Sequence, residues 1–342
     1  MPGSYDALLV VSFGGPEGPD DVIPFLENVL RGKNVPRERM LAVAAHYEHF
    51  GGVSPLNAQN RALIAALRAE FAAHGIRLPI YWGNRNWHPL LPDALAAMVG
   101  DGVKKALGFF TSAYSSYSSC RQYREDIGQA QAVVGQQAPQ VDKLRAFFNH
   151  PGFIAPMIER VEDALDPIAP ADRRSAHIVY TAHSIPQSMA DHCDYAVQLA
   201  EAARLVSAGL NVERYSVAYQ SRSGPPQQPW LGPDICDELR AIAADGATRD
   251  VVIVPIGFLS DHIEILYDLD IEARAVAQEL SLNVVRATTV GSHPRFIGMV
   301  RELVTERLCG APRLALGSME PSRDECPADC CLYPTAGRPG KA

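Results

Sequence analysis

Short runs of consecutive apolar residues alternate along this chain with longer stretches in which apolar residues recur every three or four positions. Residues 7–13 (ALLVVSF) form the first apolar run and predict a buried strand. Gly14, Gly15, Pro16 and Gly18 then turn the chain. Residues 20–30 predict a helix, with Val22, Phe25, Leu26 and Val29 on one face. A second helix is predicted over 57–74, with Leu63, Leu67 and Phe71 at spacing four and Gly75 as its stop. Further strands are predicted at 78–82, 103–110, 177–181, 212–219, 251–257 and 283–289, with helices between them. The last helix is predicted over 294–308, opening on Pro294.

This alternation predicts an α/β protein with two similar Rossmann-like domains, each a parallel four-stranded sheet flanked by helices. A chain of 342 residues exceeds what one core usually holds. The expected division is 1–150, then 151–312 with a closing helix, then a Cys-containing tail over 313–342. After Gly310 periodicity is lost, and Pro, Ser, Gly and Cys dominate.

Composition narrows the function classes. The formal net charge is -8 and no basic arm or face stands out, so nucleic acid is not an expected partner. No run of about 18 apolar residues exists to cross a membrane, and the first residues lack a basic, then apolar leader, so the expected compartment is the cytoplasm. Seven cysteines, an odd number, argue against a disulfide framework there. Three of them, Cys326, Cys330 and Cys331, crowd into the tail and need another explanation.

In open parallel sheets, ligands bind at the carboxyl ends of the strands. His183 follows the strand at 177–181, and a neutral imidazole there can bind metal or take a proton; the alternative is a hydrogen-bonded loop histidine. Glu264, Asp268 and Glu272 follow the strand at 251–257 at i, i+4 and i+8, so a helix would stack them on one face. Such a ladder is either a solvated helix face or a path for a hard cation or a departing proton. Gly14-Gly15-x-x-Gly18 does not have dinucleotide-binding spacing, and reads as a tight turn or as backbone approaching a flat ligand. The hydroxyl-rich run from Ser112 to Cys120 follows the strand at 103–110 and belongs at the same cleft. Arg31, Asn34 and Arg37 could hold carboxylates.

Taken together these segments resemble the ferrochelatase family. The resemblance is carried by Leu8-Leu9-Val10-Val11-Ser12-Phe13-Gly14-Gly15-Pro16-Glu17, by Tyr47 with Gly51-Gly52-Val53-Ser54-Pro55-Leu56, and by Thr181-Ala182-His183-Ser184-Ile185-Pro186. Gln220-Ser221-Arg222-Ser223-Gly224 with Pro229-Trp230-Leu231-Gly232-Pro233, and the stretch from Pro255 to Asp270, complete the series, in register from residue 6 to about 310.

The resemblance implies a porphyrin clamped between the two domains, with His183 and Glu264 flanking its centre as catalytic residues and ligands of incoming Fe²⁺. It leaves open which of the two takes protons. Asp268 and Glu272 would extend the metal or proton path. Phe13, Arg31, Asn34, Ser54 and Tyr123 are the implied porphyrin contacts; Phe13 replaces a tyrosine found in some members and cannot ligate iron. Tyr117-Ser118-Ser119-Cys120-Arg121-Gln122-Tyr123 resembles the actinobacterial subgroup that carries a [2Fe–2S] cluster. Cys120, Cys326, Cys330 and Cys331 are its implied ligands, with a zinc site as rival and Cys309 in reserve. That subgroup implies coproporphyrin III as substrate rather than protoporphyrin IX, and a monomer. The alternatives are a cobalt or nickel chelatase of sirohydrochlorin type, which would usually offer paired histidines, and a non-enzymatic haem carrier.

Overall fold

The computed structural model describes residues 4–33, 35–212, 214–225 and 227–333. Its organising strand is β1 (Ala7–Ser12), which is buried along its whole length and so must be covered on both faces. β1 lies inside a parallel sheet ordered β2-β1-β3-β4, formed with β2 (Ile80–Asn84), β3 (Lys105–Phe110) and β4 (Gln140–Lys143). Leu9 pairs with Tyr81 on one side and Gly108 on the other.

The second sheet repeats the plan. β5 (His177–His183), β6 (Tyr215–Gln220), β7 (Asp250–Val254) and β8 (Asn283–Arg286) run parallel in the order β6-β5-β7-β8. The expected pair of parallel four-stranded sheets is thus present. β4 matches none of the predicted runs, because an edge strand with Val141 as its one apolar residue has no apolar pattern to read.

Helices fill the crossovers. The first half carries α1 (Pro19–Leu30), α2 (Arg37–His49), α3 (Leu56–Ala73), α4 (Leu91–Gly100) and α5 (Gln122–Val134). A wide π-helical turn, Tyr117–Arg121, leads into α5. The second half carries α6 (Pro151–Leu165), α7 (Gln187–Ala190), α8 (Tyr195–Leu210), α9 (Ile235–Asp245), α10 (Ile263–Tyr267), α11 (Arg274–Glu279) and α12 (Pro294–Cys309). A second π-helical turn, Asp268–Ala273, joins α10 to α11.

One apolar core runs through both sheets. It joins Leu8, Phe109 and Phe147 to Ile178, Tyr180 and Val254 through Phe153 and Phe296. α12 closes the second half but also packs on α3 of the first. There Arg145 and Glu306, both buried, form a two-pronged ion pair at 2.8 and 2.8 Å. Polar ties reinforce the join: the Tyr114 hydroxyl donates to the Ile256 carbonyl at 3.0 Å, and the Asp261 N–H to Gln59 Oε1 at 3.0 Å.

This topology fixes where a ligand can sit. In each sheet the second strand adds to one side of the first and the third to the other, so strand order reverses between β1 and β3 and between β5 and β7. Crevices open at the carboxyl ends of those pairs. α1 and α2 reach across from the first half, and Ile263 of α10 is buried among Val22, Phe25, Leu26, Met40, Ala44 and Tyr47. His46 of α2 stacks on Tyr267 with ring centroids 3.6 Å apart.

Candidate active site

His183 ends β5 and Glu264 opens α10 after β7, so both lie at the β5/β7 crevice. Close approach of the two segments depends on Gly257, where a Cβ would come within 2.5 Å of the Ala182 Cβ. His183 Nε2 faces Glu264 Oε2 at 3.7 Å, with both side chains partly open to solvent.

The ring of His183 is held in one orientation. Nδ1 hydrogen-bonds the Ser184 carbonyl, which can only accept, so Nδ1 carries the proton. In the neutral ring Nε2 therefore presents its lone pair to Glu264, ready for a proton or a metal ion. Tyr195 supports the backbone by donating to the His183 carbonyl at 3.0 Å. Ser184 N–H donates to the Gln220 carbonyl at 2.8 Å, and Ser184 Oγ to the Leu231 carbonyl at 2.7 Å. The Gln220 and Trp230-Leu231 segments thus brace the histidine segment.

Behind Glu264 the acidic residues do not continue along a plain α-helix. Asp268 begins the π-helical turn and Glu272 lies within it. Four residues overshoot an α turn of about 3.6 residues and undershoot the wider π turn, so the two drifts oppose each other along the ladder. Burial first, and then the charges of Glu264 and Glu272, push Asp268 up to about 7, against the hydrogen bond from Ser221. Gln220 Nε2 also donates to Asp268, at 3.3 Å, and Ser221 reaches it from a left-handed backbone conformation, φ 61°, uncommon for serine. Glu272 is raised too, by burial and then by Asp234. Asp234 borders a cavity of about 240 Å³ shared with Ser184, Tyr219 and Trp230.

The opposite wall carries Phe13, at the end of β1 and partly exposed. Phe25 meets its ring edge-on at 6.2 Å, and the Arg85 guanidinium lies 5.6 Å from it. Arg85 also covers the Tyr123 ring at 4.9 Å and pairs with Asp126 at 2.6 Å. Tyr123 is therefore buried beneath Arg85 rather than standing free in the cleft. Ser54 is buried as well: its N–H donates to the Pro16 carbonyl at 2.8 Å, and a Cβ on Gly15 would meet the Ser54 Cβ at 2.7 Å. Gly14, Gly15 and Gly52 thus sit in close-packed turns, whereas Gly18 and Gly51 face open space. Arg31 is exposed after α1 and hydrogen-bonds Asn28. Asn34 lies outside the described residues. Arg85 was not among the sequence candidates; its motif, Gly83-Asn84-Arg85, gives no hint that the side chain turns toward Phe13.

The cysteines gather as a group. Cys120, buried in the first π turn, contacts Cys326; Cys326 contacts Cys330; and Cys330 Sγ lies 3.5 Å from Cys331 Sγ. Contact with Cys120 first, with help from Lys143 and Arg124, lowers the Cys326 thiol to about 5. Arg121 ties the tail down, donating to the carbonyls of Ala328 at 2.6 Å and Cys330 at 3.0 Å. Cys309 stands apart, exposed at the end of α12 with its thiol on the Thr305 carbonyl at 3.1 Å. Among the described residues, no three His, Cys, Asp or Glu side chains close around a single metal ion.

Comparison with known proteins agrees with this geometry. The Ferrochelatase family model matches residues 5–308. A protein of Rhodopirellula baltica named Ferrochelatase is 56% identical, covering 98% of this chain and 95% of its own. One of Streptomyces coelicolor named Coproporphyrin III ferrochelatase is 52% identical, covering 96% and 93%. Among solved structures, SirB from Bacillus subtilis with Fe³⁺ superposes with a TM-score of 0.54 at 16% identity, over 89% of this chain and 97% of SirB; this supports the fold alone.

Proposed function

The chain belongs to the ferrochelatase family, and from that premise we propose that it inserts Fe²⁺ into coproporphyrin III to give Fe-coproporphyrin III. The observation that carries the proposal is His183 Nε2, the ring nitrogen not engaged by the Ser184 carbonyl, facing Glu264 at 3.7 Å at the β5/β7 crevice. Insertion requires that two pyrrole N–H protons leave as one Fe²⁺ enters. A base and a cation path must therefore meet at the macrocycle centre.

His183 and Glu264 together supply the base and the first metal contact. Asp268, poised to gain or lose a proton near neutral pH, and Glu272 carry protons away from the centre or Fe²⁺ toward it. Phe13 on the facing wall offers a flat apolar surface and no oxygen, so iron receives no phenolate from that position. Arg31, Asn34, Ser54 and Tyr123 remain our candidate contacts for the macrocycle and its carboxylates. Of these Arg31 is best placed for charge, while Ser54 and Tyr123 contribute by shaping the wall. Binding energy from four carboxylates can be spent on distorting the ring so that its nitrogen lone pairs meet the metal.

The donor set of Cys120, Cys326, Cys330 and Cys331 fits a [2Fe–2S] cluster. The four thiols form a chain of contacts, and Lys143 and Arg124 stand by to balance thiolate charge. When bound, such a cluster supplies one-electron redox chemistry. We further propose a cytoplasmic monomer with domains at 1–150 and 151–312 and the cysteine tail beyond; no helix among the described residues is long and apolar enough to cross a membrane.

The test is an anaerobic optical assay with Fe²⁺ and either coproporphyrin III or protoporphyrin IX. Faster consumption of coproporphyrin III supports the proposal. Consumption of protoporphyrin IX alone keeps the reaction and rejects the substrate. Tight binding of both with turnover of neither points to a porphyrin carrier.

A further inference from the structure

The stretch from Asp261 to Glu272 holds five carboxylates, yet only Glu264, Asp268 and Glu272 form the ladder. The other two, Asp261 and Asp270, converge on one cation. Arg286, the last residue of β8, binds Asp270 in two-pronged fashion, Nε to Oδ1 at 2.8 Å and Nη2 to Oδ2 at 2.9 Å. The same guanidinium reaches Asp261, with Nη1 to Oδ1 at 3.2 Å. All three side chains are largely withdrawn from solvent.

One carboxylate precedes the functional segment and the other lies within it. Asp261 precedes Glu264 by three residues, and its N–H is pegged to Gln59 of α3 across the cleft at 3.0 Å. Asp270 lies inside the π-helical turn, between Asp268 and Glu272. β8 itself is fixed in the sheet, with Arg286 in register with Ile253 of β7. Asp268 is gripped from another strand end, by Gln220 and Ser221 after β6. A π turn is rare and gives up regular helical bonding, so it persists only where surrounding contacts hold it.

We infer that Arg286 is a positioning residue for iron insertion: by clamping Asp261 and Asp270 at once, it holds the π-helical turn in the register that aims Glu264, Asp268 and Glu272 along one path. The clamp touches neither porphyrin nor iron. Its planar fork suits the task, since a lysine ammonium can meet one carboxylate but cannot grip two in fixed orientation. This inference rests on the assignment of the ladder to metal handling.

The experiment compares Arg286→Gln and Arg286→Lys with the unmodified protein and with His183→Ala. It reads kcat, KM for Fe²⁺, KM for porphyrin, porphyrin affinity by fluorescence quenching, and Tm. We expect Arg286→Gln to raise KM for Fe²⁺ by about tenfold while porphyrin affinity changes less than about twofold, with Arg286→Lys between Gln and the native residue. An unchanged KM for Fe²⁺ overturns the clamp, as does a fall in kcat alone that follows the folded fraction. Should Arg286→Gln not yield folded protein, Asp270→Asn carries the test, with KM for Fe²⁺ expected to rise about threefold and an unchanged value overturning the inference. His183→Ala separates the two levels: if it keeps turnover, the site assignment falls, whereas an inactive His183→Ala beside a native-like Arg286→Gln rejects the clamp alone.

Discussion

Replacing Asp268 by asparagine should stabilise this protein while damaging its activity. In the fold, burial and the neighbouring carboxylates raise Asp268 from 3.8 to about 7. The unfolded chain keeps the ordinary value, so above pH 7 the native state carries a charge that the unfolded state accommodates more easily. That penalty is complete above pH 7 and disappears as pH falls toward 3.8. About three pH units at 1.36 kcal/mol each give an upper bound of roughly 4 kcal/mol, and solvent access to the crevice halves it to about 2 kcal/mol. An asparagine keeps the shape and an acceptor for Ser221 but has no charge to bury. Thermal unfolding of chelator-treated protein between pH 5 and 8.5 measures the difference. We expect Asp268→Asn to melt on the order of 4 °C higher at pH 8, with the gap shrinking steadily toward pH 5. A variant no more stable than the parent at pH 8, or a gap that ignores pH, would refute the reasoning.

Other predictions follow from single observations. Glu306→Gln leaves the Arg145 guanidinium buried with half its partner gone and should cost roughly 3–5 kcal/mol in urea unfolding, against less than about 1 kcal/mol if the pair is incidental. His150, held down to about 3 by burial and then by Arg145, stays neutral in the fold while the unfolded chain protonates near pH 6.5. Stability should therefore fall by up to about 5 kcal/mol as pH drops from 6.5 toward 3, and His150→Asn should flatten that slope; an unchanged slope removes His150 from the account. Cys120→Ser should abolish the visible absorbance of anaerobically purified protein while Cys309→Ser retains it, and the reverse result would exchange the two in the ligand set.

The sequence revealed most where its signal was periodic and local. Residues 7–13 announced β1 because a strand buried on both faces is apolar throughout, and the positions after each strand located the crevice. The ladder was visible because i, i+4 spacing survives, with small drift, in both α and π turns. What escaped were features made by distant partners. β4 has no apolar pattern, and the π turns have no composition of their own. Arg286 reads as an ordinary strand-end charge, because Asp261 and Asp270 meet it only after β7 and β8 pair. The resemblance named Ser54 as a porphyrin contact, and no pattern in the sequence showed that its side chain would be buried against Gly15. Gathering Cys120 with the tail required the resemblance, since more than two hundred residues separate them.

The most direct test of the central claim is His183→Ala under anaerobic conditions, with coproporphyrin III binding followed by fluorescence and iron insertion by loss of free-porphyrin absorbance. The account predicts porphyrin binding within about twofold of the parent and insertion reduced by at least about a hundredfold, because the free Nε2 lone pair opposite Glu264 is gone. Insertion at a rate close to that of the parent would contradict it.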